Sequence, residues 1–153
     1  MRNADSLEYF DKKSEKRLYK GKFLEFFHEA AYVEKSHSTP EGGPIVETVF
    51  LSTKDVEGRK IAITVVYRGT TDLTSDPSFQ LRQASPQEYH SKNFKEGAWQ
   101  GVLFEKKSAP FERTIFLEKN GYIISISLTS PFSSDGLEEE VLTIVRELSF
   151  SPR

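Results

Sequence analysis

Cysteine is missing from all 153 residues. Without it there is no disulfide frame, thiolate zinc site, iron–sulfur cluster or thiol nucleophile, so several enzyme classes drop out together and stability rests on packing. An excess of either charge is missing too: 21 Lys and Arg face 23 Asp and Glu, a formal net charge of −2. A dedicated nucleic-acid binder draws its affinity from neutralised phosphates and released counterions, so nucleic acid is not an expected partner. Long apolar runs are absent. The longest, Ile61 to Tyr67 and Tyr122 to Leu128, span about seven residues, against the ~20 that a transmembrane helix requires. Met1 to Phe10 holds one basic residue and no apolar stretch able to serve as a signal core.

What is present reads as one domain with a short preface. Asp11 to Arg17 is a mixed-charge run without an apolar residue, so residues 1–18 are expected to form a flexible N-terminal tether and 19–153 a single α+β domain. Between Lys22 and Lys35 two readings stay open. Phe23, Phe27, Ala30 and Ala31 lie on a helical stripe, while Phe23 to Phe27 is short and aromatic enough for a strand. Thr39-Pro-Glu-Gly-Gly-Pro44 is a turn or loop. Ile45 to Thr53 and Arg59 to Arg68 read as strands joined through Lys54–Gly58, and both side-chain rows of the second are apolar enough for a central position. Thr70 to Ser78 reads as loop.

Ser85-Pro86-Gln87-Glu88 has a hydroxyl cap, a first-turn proline and a returning carboxylate, which together predict the start of a short helix. Trp99 to Lys106 is an expected strand, broken by Ala109-Pro110. Glu112 to Glu118 and Tyr122 to Thr129 then form a hairpin across Lys119-Asn-Gly121, because Asn-Gly suits the left-handed backbone of a tight reversal. Tyr122, Ile124, Ile126 and Leu128 share the expected core face. After possible caps at Ser134 and Asp135, Leu137, Val141, Ile144, Val145 and Leu148 recur at helical spacing, which predicts an amphipathic helix laid on the sheet. Glu138, Glu139 and Glu140 favour its positive end.

Catalytic patterns are few. His28-Glu-Ala-Ala-Tyr32 opens like a zinc-protease helix, but Tyr32 stands where the second histidine must be. No nucleophile elbow accompanies His28, His37 or His90. Asp72 to Asp76 offers two carboxylates and two hydroxyls, yet Gln83 replaces the closing glutamate of a calcium loop, so local side-chain-to-backbone bonding is the expectation there. Gly42-Gly43 lacks the Lys-Ser or Lys-Thr of a phosphate cradle. No catalytic residue, metal ligand or cofactor is therefore assigned. Arg82, Tyr89, His90, Phe94 and Trp99 are the one concentration of large amphipathic side chains in an irregular region, and they form the expected ligand- or partner-binding surface. The alternative is a hydrolase or metal-dependent enzyme that brings together His28, His90 or the Asp72/Asp76 loop.

The run Glu112-Arg-Thr-Ile-Phe-Leu-Glu-Lys-Asn-Gly-Tyr-Ile-Ile-Ser-Ile-Ser-Leu128, followed by Pro131 and a helix closing in Ile144-Val-Arg-Glu-Leu-Ser-Phe150, resembles the PsbP-like families, small domains related to the extrinsic PsbP subunit of photosystem II that include bacterial lipoproteins of unknown function. The resemblance covers the last third of the chain and brings no catalytic motif. It implies an antiparallel β-sheet flanked by helices in an α/β/α sandwich. It also implies a binding or interaction role for a protein or small-molecule partner outside the cytoplasm, with a tether through a removed leader. A cytoplasmic adaptor is the other reading of location.

Overall fold

The computed structural model describes residues 16–53, 58–70 and 72–151. Among them, seven strands form one antiparallel sheet in the order β3-β4-β5-β9-β8-β7-β6. These are β3 (Tyr32–Ser38), β4 (Ile45–Thr53), β5 (Lys60–Tyr67), β6 (Tyr89–Glu96), β7 (Trp99–Lys106), β8 (Phe111–Lys119) and β9 (Tyr122–Ser130). A smaller sheet, in the order β1-β2-β10, comprises β1 (Lys16–Lys20), β2 (Leu24–Glu29) and β10 (Ser149–Phe150). Two α-helices, α1 (Pro77–Gln83) and α2 (Leu137–Arg146), and a short 3-10 helix at Leu73–Ser75 complete the set.

The hairpin signals act as expected. Asn120 and Gly121 take φ of 54° and 84°, and Lys119 pairs with Tyr122, which is a two-residue turn of the left-handed kind. That turn fixes the register, which puts Ile124, Ile126 and Leu128 into the main core beside Ile61, Ile63 and Val65 of β5. The doubly apolar β5 does lie inside the sheet, between β4 and β9. Leu137, Val141, Ile144 and Val145 of α2 close the same core, together with Leu24 and Phe26 of the small sheet.

Strand alternation sends the other row to the opposite face, where Phe104, Phe116 and Ile123 collect under Phe79 of α1. Beyond that cluster this face is thinly covered: Ala62, Thr64, Ser125 and Ser127 are all half-buried. The molecule is thus an α+β protein dominated by antiparallel sheet. A three-stranded sheet shares the main layer with α2, and a seven-residue helix packs on the other side.

Several local expectations need correction. Within residues 22–35 no helix forms: after a bend at Lys22 and Phe23, 24–29 and 32–35 are strand, and the chain passes from one sheet to the other at the Ala30-Ala31 turn. In β2 the side chains of Leu24, Phe26 and His28 are buried while Phe27 is 38% exposed, so period two overrides the apparent helical stripe. The helix expected from Ser85 is instead a turn into β6, which pairs along its whole length with β7. No apolar stripe follows Glu88 to hold a helix, whereas the Asp76-Pro77 pair carries the cap and the first-turn proline with Phe79 behind it. Asp76 accepts from the Phe79 amide and caps α1, within the segment expected to be loop. The α2 cap is Gly136 at φ 74°, and Ser134 contributes its carbonyl to the Leu137 amide rather than its side chain. β1 takes in residues 16–18, the last of the expected tether; residues 1–15 lie outside the described set.

Candidate functional site

At one side of the molecule both sheets end in a free strand, β1 in the small sheet and β3 in the large one. Between them opens a cleft of about 460 Å³. Its floor is Tyr19, His28, Tyr32 and Leu51, none more than 8% exposed. Its rim carries Arg17, Lys20 and Lys22 from β1 and the turn after it, facing Glu34 and His37 of β3.

A buried carboxylate holds the two walls together. Glu47 of β4 is fully buried, yet every donor it needs comes from the small sheet: the Tyr19 hydroxyl at 2.6 Å, the Phe23 amide at 2.8 Å and the Leu24 amide at 3.2 Å. Buried polar groups are tolerated only when satisfied in this way. Gly21 belongs to the same arrangement, since a Cβ there would stand 1.9 Å from Glu47 Oε2 and 2.6 Å from the Tyr19 hydroxyl. Burial, reinforced by Glu47, pushes the Tyr19 hydroxyl well above the usual tyrosine range. It therefore serves as a fixed donor.

On the cleft wall, His28 Nδ1 lies 2.8 Å from the Glu29 carbonyl. A carbonyl only accepts, so Nδ1 is the donor and Nε2 of the neutral ring is left as an acceptor. No described residue bonds it. His37 Nδ1 is engaged by Glu34 Oε1, and the Tyr19 and His37 rings meet edge-on at 6.4 Å.

Behind Tyr32, burial pushes the Glu140 carboxyl above its ordinary value of 4.5, despite Arg59 Nη1 at 3.2 Å and the facing Tyr32 hydroxyl. An acid whose folded-state value is raised holds its proton more tightly in the folded protein. Its contribution is most favourable below pH 4.5 and is lost as pH rises through the folded-state value. Glu140→Gln should remove this slope. Melting temperatures of both proteins at pH 4 and pH 8 check it: wild type should lose more than the variant on going to pH 8, and parallel losses would place Glu140 in water.

The five residues expected to form one surface are split by the sheet. Arg82 of α1 lies 2.8 Å from Glu112 and over the rings of Tyr89 and Phe116, at 5.6 and 5.5 Å. Phe94 and Trp99 pack into the main core instead, and Trp99 is 7% exposed. His90 is exposed on β6, in the same alternating row as Phe94. Arg82 and Tyr89 are thus brought together, and the other three are not joined to them. The enzyme alternative is likewise dispersed: His28 is in the cleft and His90 on the far edge strand. Asp72 binds the Thr74 amide and hydroxyl, as expected of a local turn, and Asp76 caps α1 and pairs with Arg68. Among the described residues no three acidic or histidine side chains are grouped to hold a metal ion, and no helix is long and apolar enough to cross a membrane.

Sequence reasoning missed the cleft because its residues come from β1, β2, β3 and β4, and only the fold gathers them. A lone glutamate in the apolar strand Ile45-Val-Glu-Thr-Val-Phe-Leu51 was the available signal, since an acid in an inward row needs buried partners.

The architecture is that of a twisted antiparallel sheet with a clasped second layer, and its fold is PsbP-like. The solution structure of cyanobacterial PsbP (CyanoP) from Synechocystis sp. PCC 6803 superposes with a TM-score of 0.61 at 10% identity, over 90% of this chain and 94% of that one. A crystal structure from Bacteroides thetaiotaomicron VPI-5482 superposes with a TM-score of 0.62 at 11% identity, over 92% of this chain. The chain spans 50% of the length of that Bacteroides protein. No protein-family model and no curated protein matches the sequence.

Proposed function

We propose that the chain is a non-enzymatic binding module of PsbP-like, α/β/α-sandwich type, which takes a small ligand into the cleft between the free edges of its two sheets. One observation carries this reading: a cleft of about 460 Å³ whose walls are fixed by the fully buried Glu47 clasp and whose surface combines aromatic floor and charged rim. Pockets of this size, preformed and with few convergent polar groups, are the usual form of small-molecule sites. Dispersal of the histidines and acids weighs against the hydrolase alternative. The PsbP-like fold supports a position outside the cytoplasm on a membrane tether, which fractionation of cells making the natural protein would test.

For the site itself, amide shifts of the labelled protein against a library of small fragments give the test. Ligands should move the amides of residues 18–22, 28 and 37. Movements confined to Arg82 and Tyr89, or to Trp99, or no movement with any fragment, would reject the cleft.

A further inference from the structure

We infer that the cleft selects small organic anions: an oxyanion head carried on a flat apolar body. This rests on the cleft being the ligand site.

Three cations, Arg17, Lys20 and Lys22, stand on the rim against one carboxylate, Glu34. Arg17 has no carboxylate partner among the described residues, and Lys22 rests only over the Phe23 ring, at 5.5 Å. Lys20 is loosely held, 3.7 Å from Glu25 with its side chain 75% exposed. The acids nearby are already engaged: Glu34 is taken by His37, and Glu47 is satisfied by three donors from the small sheet. The rim therefore offers cationic donors to an incoming oxyanion, while its one carboxylate, Glu34, is already engaged by His37. Hydrogen bonds between charged partners are shorter and stronger than neutral ones, most of all with arginine.

The floor sets the rest of the ligand. Tyr19, Tyr32 and Leu51 are buried, and the His28 and Tyr32 rings stand at 89° to each other, 6.4 Å apart, which leaves apolar edges and faces for a planar group. His28 is 8% exposed, with an Nε2 that no described residue satisfies. Lining the cleft, it provides an acceptor for a hydroxyl on that body. A bare inorganic anion would use only the rim and leave the floor wet.

Three probes with one ring and one hydroxyl but different heads separate these contributions: 4-hydroxyphenylacetate, the neutral alcohol tyrosol and the cation tyramine. Calorimetry should show the carboxylate binding about tenfold more tightly than tyrosol, with tyramine weakest, and the preference should shrink as salt rises. In the triple variant Arg17→Gln, Lys20→Gln, Lys22→Gln the preference should vanish while tyrosol affinity and melting temperature stay as in wild type. Equal binding of the three probes at the cleft amides would overturn the anion selectivity and leave the cleft as a binding site. Failure of all three to bind, with other fragments still moving the cleft amides, would also overturn it; fragments that never reach the cleft would remove the site itself.

Discussion

Replacing Gly101 by alanine is expected to cost about 4 kcal/mol or more, a large share of the total stability of an ordinary domain. Gly101 of β7 lies opposite Leu117 of β8. A Cβ on it would stand 1.7 Å from the Phe116 carbonyl oxygen and 2.8 Å from the carbonyl carbon. Both atoms are backbone, so no rotamer change relieves the clash and the strands must part. Behind them Leu103, Ile115, Phe116 and Leu117 are buried on both faces of the sheet and would be opened together. Gly97 is the control. Its φ is 60° with nothing within 4 Å of the added carbon, so alanine there costs about 1 kcal/mol through backbone strain alone. Urea midpoints of the two variants decide the matter, and equal losses would mean that β7 and β8 are not in this register.

Ile144→Asp should be comparably damaging. Ile144 is 2% exposed in the core beneath α2. The change forfeits about 2–3 kcal/mol of apolar burial and places a carboxylate where no partner waits, a penalty of several kcal/mol more. Glu139→Lys, on the exposed side of the same helix, should cost less than about 1 kcal/mol, because it loses only an exposed pair and a favourable helix-end charge. The Glu139 side chain is 71% exposed and 3.1 Å from Arg146. Thermal melts should show the first variant unfolded and the second near wild type. Equal melting temperatures would refute the assigned face of α2.

Where local chemistry and burial agree, the sequence is easy to read. Asn120-Gly121 needs a left-handed backbone wherever it is placed, and the alternating row beginning at Tyr122 needs one buried face, so β8, β9 and the cover of α2 were legible. Phe23 and Phe27 mislead because four-residue spacing is shared by helices and by chance pairs in strands. Phe27 stays on the outer face of the small sheet, paired across from the exposed Leu18. Ser85-Pro86 misleads because capping chemistry starts a helix only if an apolar stripe follows to anchor it, and Tyr89 to Glu96 is claimed by β7. The glutamates of α2 have more to do than balance the dipole: Glu138 reaches Lys92 and Arg113, and Glu140 reaches Arg59, so they tie the helix to the large sheet and to the segment preceding β5. The cleft was illegible for a different reason, since the binding of Glu47 to Tyr19, Phe23 and Leu24 spans more than twenty residues and is fixed by sheet packing rather than by local pattern.

Hydrogen exchange at the Phe23 and Leu24 amides tests most directly whether Glu47 clasps the small sheet and so forms the cleft. In Glu47→Leu the volume is nearly kept but three donors, two of them buried, lose their acceptor. Exchange at these two amides should accelerate about a hundredfold relative to Ile124 and Ile126, matching the loss of hydrogen bonds to a charged acceptor. Should Phe23 and Leu24 remain as protected in the variant, relative to Ile124, as they are in wild type, the walls are held by something else and Glu47 does not build the site.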